Sequence, residues 1–302
     1  TEAGLLAAVD GLLSFVGDIE RGPLTLKVDQ VLLVRGDVDY HTGHIVFPGD
    51  VFIEGRVGDG FKIWSGASIH CKATMDAYDI SAKKDLLCSQ GIIGRRKAEI
   101  KVGGELRAKF IQNCRVAVRG NVTIPTAIVG TRLYSLGMVD LGDKGVIMGG
   151  ELFASHGVRC GRLGNQAHQR TLIHVGSDFA VKQRVDRANE KLRLLALEAR
   201  RAADEARQGP SPSVEGRRRR IDEAMVAISA LIGQLLLSLD TDDEAFVEVK
   251  GEIFPGVVIE ICQLSIVIDE LLRGCRFRLD KASGRVVTER LTHAAIPAKK
   301  AT

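Results

Sequence analysis

Rings are scarce in this 302-residue chain: aromatic residues make up 5%, with a single tryptophan, Trp64. Hydrophobic residues nevertheless reach 45%. Val, Ile, Leu and Ala must therefore fill the core, which favours thin, repetitive, stacked layers over an irregular globule. Proline is also sparse at 7, while glycine reaches 33. That balance gives many tight turns and little disordered linker. No apolar run approaches the roughly 20 residues that a membrane helix needs, and no signal peptide is evident. Neither sign of charge dominates. A net charge of +4 neither implies nor excludes a nucleic-acid surface.

Several chemical signatures are missing. None of the six cysteines (Cys71, Cys88, Cys114, Cys160, Cys262, Cys275) forms a CxxC pair, so a zinc or redox motif is not expected. They read as reduced, buried thiols of a cytosolic protein. GxGxxG, Walker A and GxSxG strings are absent, which removes the usual nucleotide and nucleophile-elbow markers. The chain begins at Thr1 rather than Met, as expected of a fragment of something longer.

What is present is alternation. Ile69, Cys71 and Ala73 alternate with His70 and Lys72; Ala98, Ile100 and Val102 with Glu99 and Lys101; Cys114, Val116 and Val118 with Arg115 and Arg119. A period of two means strands with one buried face. Turn pairs at Gly49-Asp50, Ser65-Gly66, Lys83-Lys84, Gly103-Gly104, Arg119-Gly120, Leu136-Gly137 and His156-Gly157 recur every 16 to 20 residues or so. A unit that short cannot bury its own apolar face. Stacked coils can, each strand pairing with its counterpart in the next. A β-sandwich also offers recurring strands, but hairpin pairs such as Asn-Gly are scarce here.

At Ser177 the period changes. Val181, Val185, Ala188, Leu192, Leu195, Ala199, Ala202 and Ala206 form a heptad seam. Gln208 to Gly216, with two prolines, breaks it. A second seam follows through Ile221, Met225, Ile228, Ile232, Leu235 and Leu239. Two such helices fold back as an antiparallel hairpin. Strand alternation then resumes at Val247 and Val249.

The expected fold is mainly β with an α insertion: a parallel, right-handed β-helix or solenoid plus an antiparallel coiled-coil hairpin. Its expected parts are short capping strands over 1–30, solenoid over 31–176, the hairpin over 177–240, returning solenoid strands over 246–287 and a disordered tail over 288–302.

An ordered run of motifs carries a family resemblance. "GDVDYHTGHIVFPGDVFIEGRVGDGFKI" (Gly36 to Ile63), "GIIGRRKAEIKVGGELRAKFIQNCRVAVRGNVTI" (Gly91 to Ile124), "GVIMGGELFA" (Gly145 to Ala154), "VKGEIFPGVVIEI" (Val249 to Ile261) and "LLRGCRFRLD" (Leu271 to Asp280) together resemble the flagellar assembly protein A family. The resemblance implies a β-helix with a helical insert, in a bacterial cytoplasmic protein tied to flagellar assembly or polar placement. In one branch it implies docking of a sugar-phosphotransferase regulatory protein. The family's usual N-terminal domain is not recognised here. Some corners that are often glycine carry other residues, such as Lys83-Lys84. The matched motifs are structural and transfer no partner-binding residue.

Candidate chemistry is thin. His41 and His44, with Asp37 and Asp39, have the residue types of a metal site, but read as a polar corner after a strand rather than as ligands. His156, Cys160 and His168 are a weaker set. The acidic run Asp240 to Glu244 lacks the spacing of an EF-hand and reads as a solvated helix exit. Two basic clusters remain as partner-binding candidates: Arg95, Arg96 and Lys97, and the run Arg217, Arg218, Arg219 and Arg220. The first extends through outward-facing Arg107, Lys109 and Arg115.

A non-enzymatic scaffold, binding protein partners through its solenoid surface and hairpin, is therefore expected. No cofactor or metal is called for, and self-association through an open sheet edge is allowed. Two alternatives are a nucleic-acid or anionic-membrane binder acting through the arginine runs and a carbohydrate-active β-helix enzyme. For the last, Trp64, Tyr40, Tyr78 and Tyr134 are few.

Overall fold

The structure is a computed structural model that describes residues 12–16, 25–208, 212–237 and 242–291. It divides into two compact units, Thr1–Gly176 with Asp242–Thr302, and Ser177–Thr241.

The first unit is a parallel β-solenoid of about eight turns. Short strands climb in register, and outside the insertion successive rungs lie sixteen to twenty-one residues apart in sequence. Three parallel ladders result, each contributing one inward column. In the first ladder Val51, Ile69, Leu86, Leu106, Val122, Val139, Val158 and Val247 are stacked neighbours. In the second, Ile63, Ile80, Ile100, Val116, Leu133, Leu152, Ile173 and Ile259 follow one another. In the third the order is Val38, Val57, Met75, Ile92, Ile111, Ile128, Ile147, Leu163 and Ile253. No member of these columns is more than 2% exposed. The core is thus a stack of aliphatic layers with rings at its rim, which is why a ring-poor sequence suffices.

Glycine corners let the coils close. At Gly103 a Cβ would stand 2.0 Å from the Lys83 carbonyl oxygen. Lys83 itself fits because its chain turns outward, setting Nζ 5.5 Å from the centre of the Trp64 ring.

The solenoid ends differently from how it runs. Strand Leu264–Val267 pairs antiparallel with Val257–Ile261, and Leu272–Asp280 pairs antiparallel with both Phe246–Ile253 and Arg285–Arg290. Of the strands read as returning solenoid, only Phe246–Ile253 and Val257–Ile261 rejoin parallel rungs. The others fold over them as hairpins. The first hairpin turns at Cys262 and Gln263, with φ of 47° and 72°, a left-handed pair suited to a two-residue turn. The last strand runs to Arg290. At the other end Leu12–Val16 and Thr25–Asp29 form an antiparallel pair. The expected cap over 1–30 otherwise falls mostly outside the described residues, as does 292–302 of the expected tail.

The second unit holds two helices, α1 (Phe179–Gln208) and α2 (Pro212–Leu237). Asp178 caps α1, its carboxylate accepting from the Val181 N–H at 3.2 Å. The helices pack on each other. The heptad-seam residues Val185, Ala188, Ala202, Ile221, Ile228 and Leu235 are buried. Leu239 lies outside the described residues. Among the described residues no helix is long and apolar enough to cross a membrane.

Candidate docking surface

An open groove of about 660 Å³ runs along one corner of the solenoid, between the third and second ladders. Between its charged residues it is lined by Ala98, Asn113, Cys114, Gly130, Thr131 and Gly150. Asn113, Gly130 and Gly149 occupy the left-handed region, at φ of 54°, 54° and 64°. They directly follow the paired residues Gln112, Val129 and Met148. Asn tolerates that conformation better than most side chains, and Gly adopts it freely. Gly130 and Gly150 have no room for a side chain against the adjacent rung: a Cβ at 130 would meet Asn113 Oδ1 at 2.6 Å, and one at 150 the Thr131 carbonyl oxygen at 2.3 Å.

The walls are charged. Glu99, Arg115, Arg132, Glu151 and Leu172 are successive rungs of one outward column. Arg95 joins them from one side and Arg170 from the other. Glu151 accepts from Arg132 Nε at 2.8 Å, and Lys101 Nζ lies 3.3 Å from Glu99. Arg95 is held between Asp59 and Asp76, 3.6 Å from each. Arg115 and Arg170 are exposed and form no ion pair among the described residues.

Of the basic residues singled out in sequence, Arg95 and Arg115 meet in this groove. The backbone of Arg96 and Lys97 lies beside Arg95 in strand Leu86–Val102; their side chains are outside those described. Arg107 stands on the first ladder, paired with Glu105 at 2.8 Å, and Lys109 does not line the groove. The strip read from sequence therefore divides. Arg132 and Arg170 take the vacated places. They went unread because only the register of the rungs brings them beside Arg115.

The arginine run of α2 is partly neutralised within its own unit. Arg217 pairs with Glu205, Arg219 Nε lies 3.2 Å from Glu223, and Arg220 Nε donates to the Gly216 carbonyl at 3.2 Å. This explains how cations are tolerated near a helix N-terminus, where they are locally unfavourable.

The histidine sets are dispersed. The Asp39 carboxylate accepts from the His41 and Thr42 N–H groups, which hold it below the usual carboxylate range. Asp37 accepts from the Arg56 N–H at 2.7 Å, and His44 Nδ1 from the Lys62 N–H at 3.1 Å. His156 bonds Asp242 at 2.8 Å, Cys160 is buried in the core, and His168 lies in the loop before strand Thr171–Val175. Among the described residues no three His, Cys, Asp or Glu side chains are disposed to hold a metal. Asp243 and Glu244 face Lys281, at 3.7 and 3.3 Å.

Two outward ladders brace the wall near the insertion. Tyr134, Phe153 and His174 stack at centroid distances of 4.8 and 4.4 Å. His174 sits between Glu260, at 3.3 Å, and Glu151, at 3.8 Å. On the first ladder Asp140, Arg159, Glu248 and Arg276 alternate in sign, 3.4 to 3.9 Å apart.

Residues 30–284 match the family described as FapA, Flagellar Assembly Protein A beta solenoid domain. The chain belongs to the FapA family. No curated protein and no solved structure gives a significant match. The FapA match spans both flanks of the helical unit, so the insertion falls inside the matched domain. FapA is a family of flagellar assembly.

Proposed function

We propose that this FapA protein is a non-enzymatic scaffold of flagellar assembly, working in the bacterial cytoplasm and recruited to the cell pole. Membership of the family carries the reading. The architecture supports it physically. A wall whose rungs repeat every ~4.8 Å holds outward side chains at fixed separations. The helical unit, read as an antiparallel coiled-coil hairpin, adds a second surface of different chemistry. Partners of this kind are flagellar or polar factors, and a sugar-phosphotransferase regulatory protein. The arginine groove supports a docking role because it is open and charged.

The test replaces the segment from Lys182 to Leu239 with a short Gly/Ser bridge and compares partners captured by intact and shortened chains. The shortened chain is expected to fold and to lose at least one partner. An identical set of partners would remove the hairpin from the reading.

A further inference from the structure

Charge along the corner groove is uneven in a way that specifies a ligand. Arg132 and Glu151 satisfy each other at 2.8 Å, and Glu99 is engaged by Lys101 at 3.3 Å. Arg115 and Arg170 lack such a partner among the described residues. Three rungs separate Arg115 from Leu172, which closely follows Arg170. At ~4.8 Å per rung the rungs of Arg115 and Leu172 stand about 14 Å apart along the stack, the span that a ligand laid across the rungs has to cover. An extended peptide advances ~3.3 Å per residue, so side chains four residues apart stand about 13 Å apart.

We propose that the groove takes an extended acidic segment of a partner protein, laid across the rungs, with carboxylates four residues apart on Arg115 and Arg170. The proposal rests on the scaffold reading and names the chemistry of one partner. Guanidinium groups match carboxylates through paired, charge-assisted hydrogen bonds. Between the two arginines Glu151 already engages Arg132, so a ligand charged at every unit would set uncompensated charge there. A peptide with neutral residues between its acids avoids it, whereas a polyphosphate backbone does not. Single-stranded nucleic acid also needs rings on which bases stack, and none lines the groove. The lining between the charged walls includes glycines and short side chains, Ala98, Gly130 and Gly150 among them, which leaves room for a peptide laid over them.

The experiment uses the full chain and labelled synthetic peptides in a Gly/Ser/Ala background, read by fluorescence anisotropy. One peptide carries Asp at i and i+4, one carries the same two Asp adjacent, and one carries Asn instead. The spaced peptide should bind best. The Asn peptide and the R115Q/R170Q double variant should each weaken binding roughly tenfold, and added salt should weaken it further. The R107Q variant, outside the groove, should bind as the parent does. Both arginines are exposed, and an unchanged melting curve confirms that the double variant folds. Equal binding by the double variant, or by the adjacent-Asp peptide, overturns the proposal. So does an oligo(dT) that binds more tightly than the spaced peptide and is lost in the same variant. If the groove fails these tests while removal of the hairpin still costs a partner, the scaffold reading stands alone. If the spaced peptide binds and removal costs no partner, the groove stands and the hairpin reading falls.

Discussion

Val158 and Val247 are neighbours on one parallel ladder, with the whole helical unit between them in sequence. The same holds for Val175 and Ile261. The ladder resumes in register beyond the insertion, and the Arg159–Glu248 ion pair, at 3.4 Å, bridges it on the outer face. The ends of the insertion are already joined: the Asp242 N–H donates to the Gly176 carbonyl at 3.1 Å, and the Cys262 thiol donates to the same carbonyl at 3.4 Å. A short link between Gly176 and Asp242 therefore closes the rung with little loop entropy to lose. Excision of 177–241 with a two-glycine bridge should remove the helical signal in circular dichroism and leave cooperative unfolding of the strands, with a midpoint within about 5 °C of the parent. Loss of the cooperative transition would mean that the helices hold the rungs together.

Leu106 tests the stacked core. It is fully buried in the first inward column between Leu86 and Val122. Its truncation to Ala leaves a void that both neighbouring coils must share, and those coils are fixed by their own ladders. A cost of about 3 kcal/mol is expected, within the range of large-to-small core changes. Urea titration should show a lower midpoint at unchanged slope. A changed slope would point instead to separate unfolding of the coils on either side, as stacked repeats allow.

Gly103 and Gly233 should respond in opposite directions to the same substitution. Gly103→Ala forces a methyl to within 2.0 Å of the Lys83 carbonyl oxygen, so the corner has to open. A loss of about 2 kcal/mol or more is expected. Gly233 lies in α2, and a Cβ placed there would have no atom within 4 Å. There alanine relieves the helix-propensity penalty and should stabilise by up to about 1 kcal/mol. Thermal melts of the two variants, with helix and strand signals followed separately, check both signs.

The solenoid was legible because its two signals, alternation and a short fixed spacing of turns, arise from the same physical need to bury a thin coil. Ile69, Leu86 and Leu106 recur as inward residues at that spacing. The helices were legible for the parallel reason that a heptad fixes one face. The closing hairpins were not. Parallel and antiparallel strands share the period of two, so Leu272 and Phe277 look the same in either arrangement. The turn that reverses the chain is Cys262-Gln263, a pair without the Asn-Gly signature of such turns. The groove was half legible. Arg95 and Arg115 stand out in sequence, but Arg132 and Arg170 become their neighbours only once the rungs are aligned, and the same alignment carries Arg107 to another ladder.

The buried thiols set a dependence on alkali. Burial pushes the Cys114 and Cys160 thiols up to about 12. Cys88 is raised too, by its hydrogen bond with Cys71 and by burial. An unfolded thiol ionises near ~8.5. The folded state therefore keeps protons that the unfolded state releases between those values. The sign follows: stability is unaffected below about 8.5 and declines above it, by roughly 1.4 kcal/mol per pH unit for each such thiol until the folded group also ionises. At pH 8 the folded thiols at these two sites are almost wholly protonated, whereas roughly a quarter of the thiols of an unfolded chain are thiolate. Alkylation of Cys114 and Cys160 by iodoacetamide should thus be slower by orders of magnitude in the native protein. Cys262 is only partly buried and should label before them, although burial and the nearby Asp243 and Asp242 raise its thiol as well. Mass spectrometry of timed samples gives the order. Labelling of Cys160 as fast as Cys262 under native conditions would show that the coils around it open far more often than a stacked core permits.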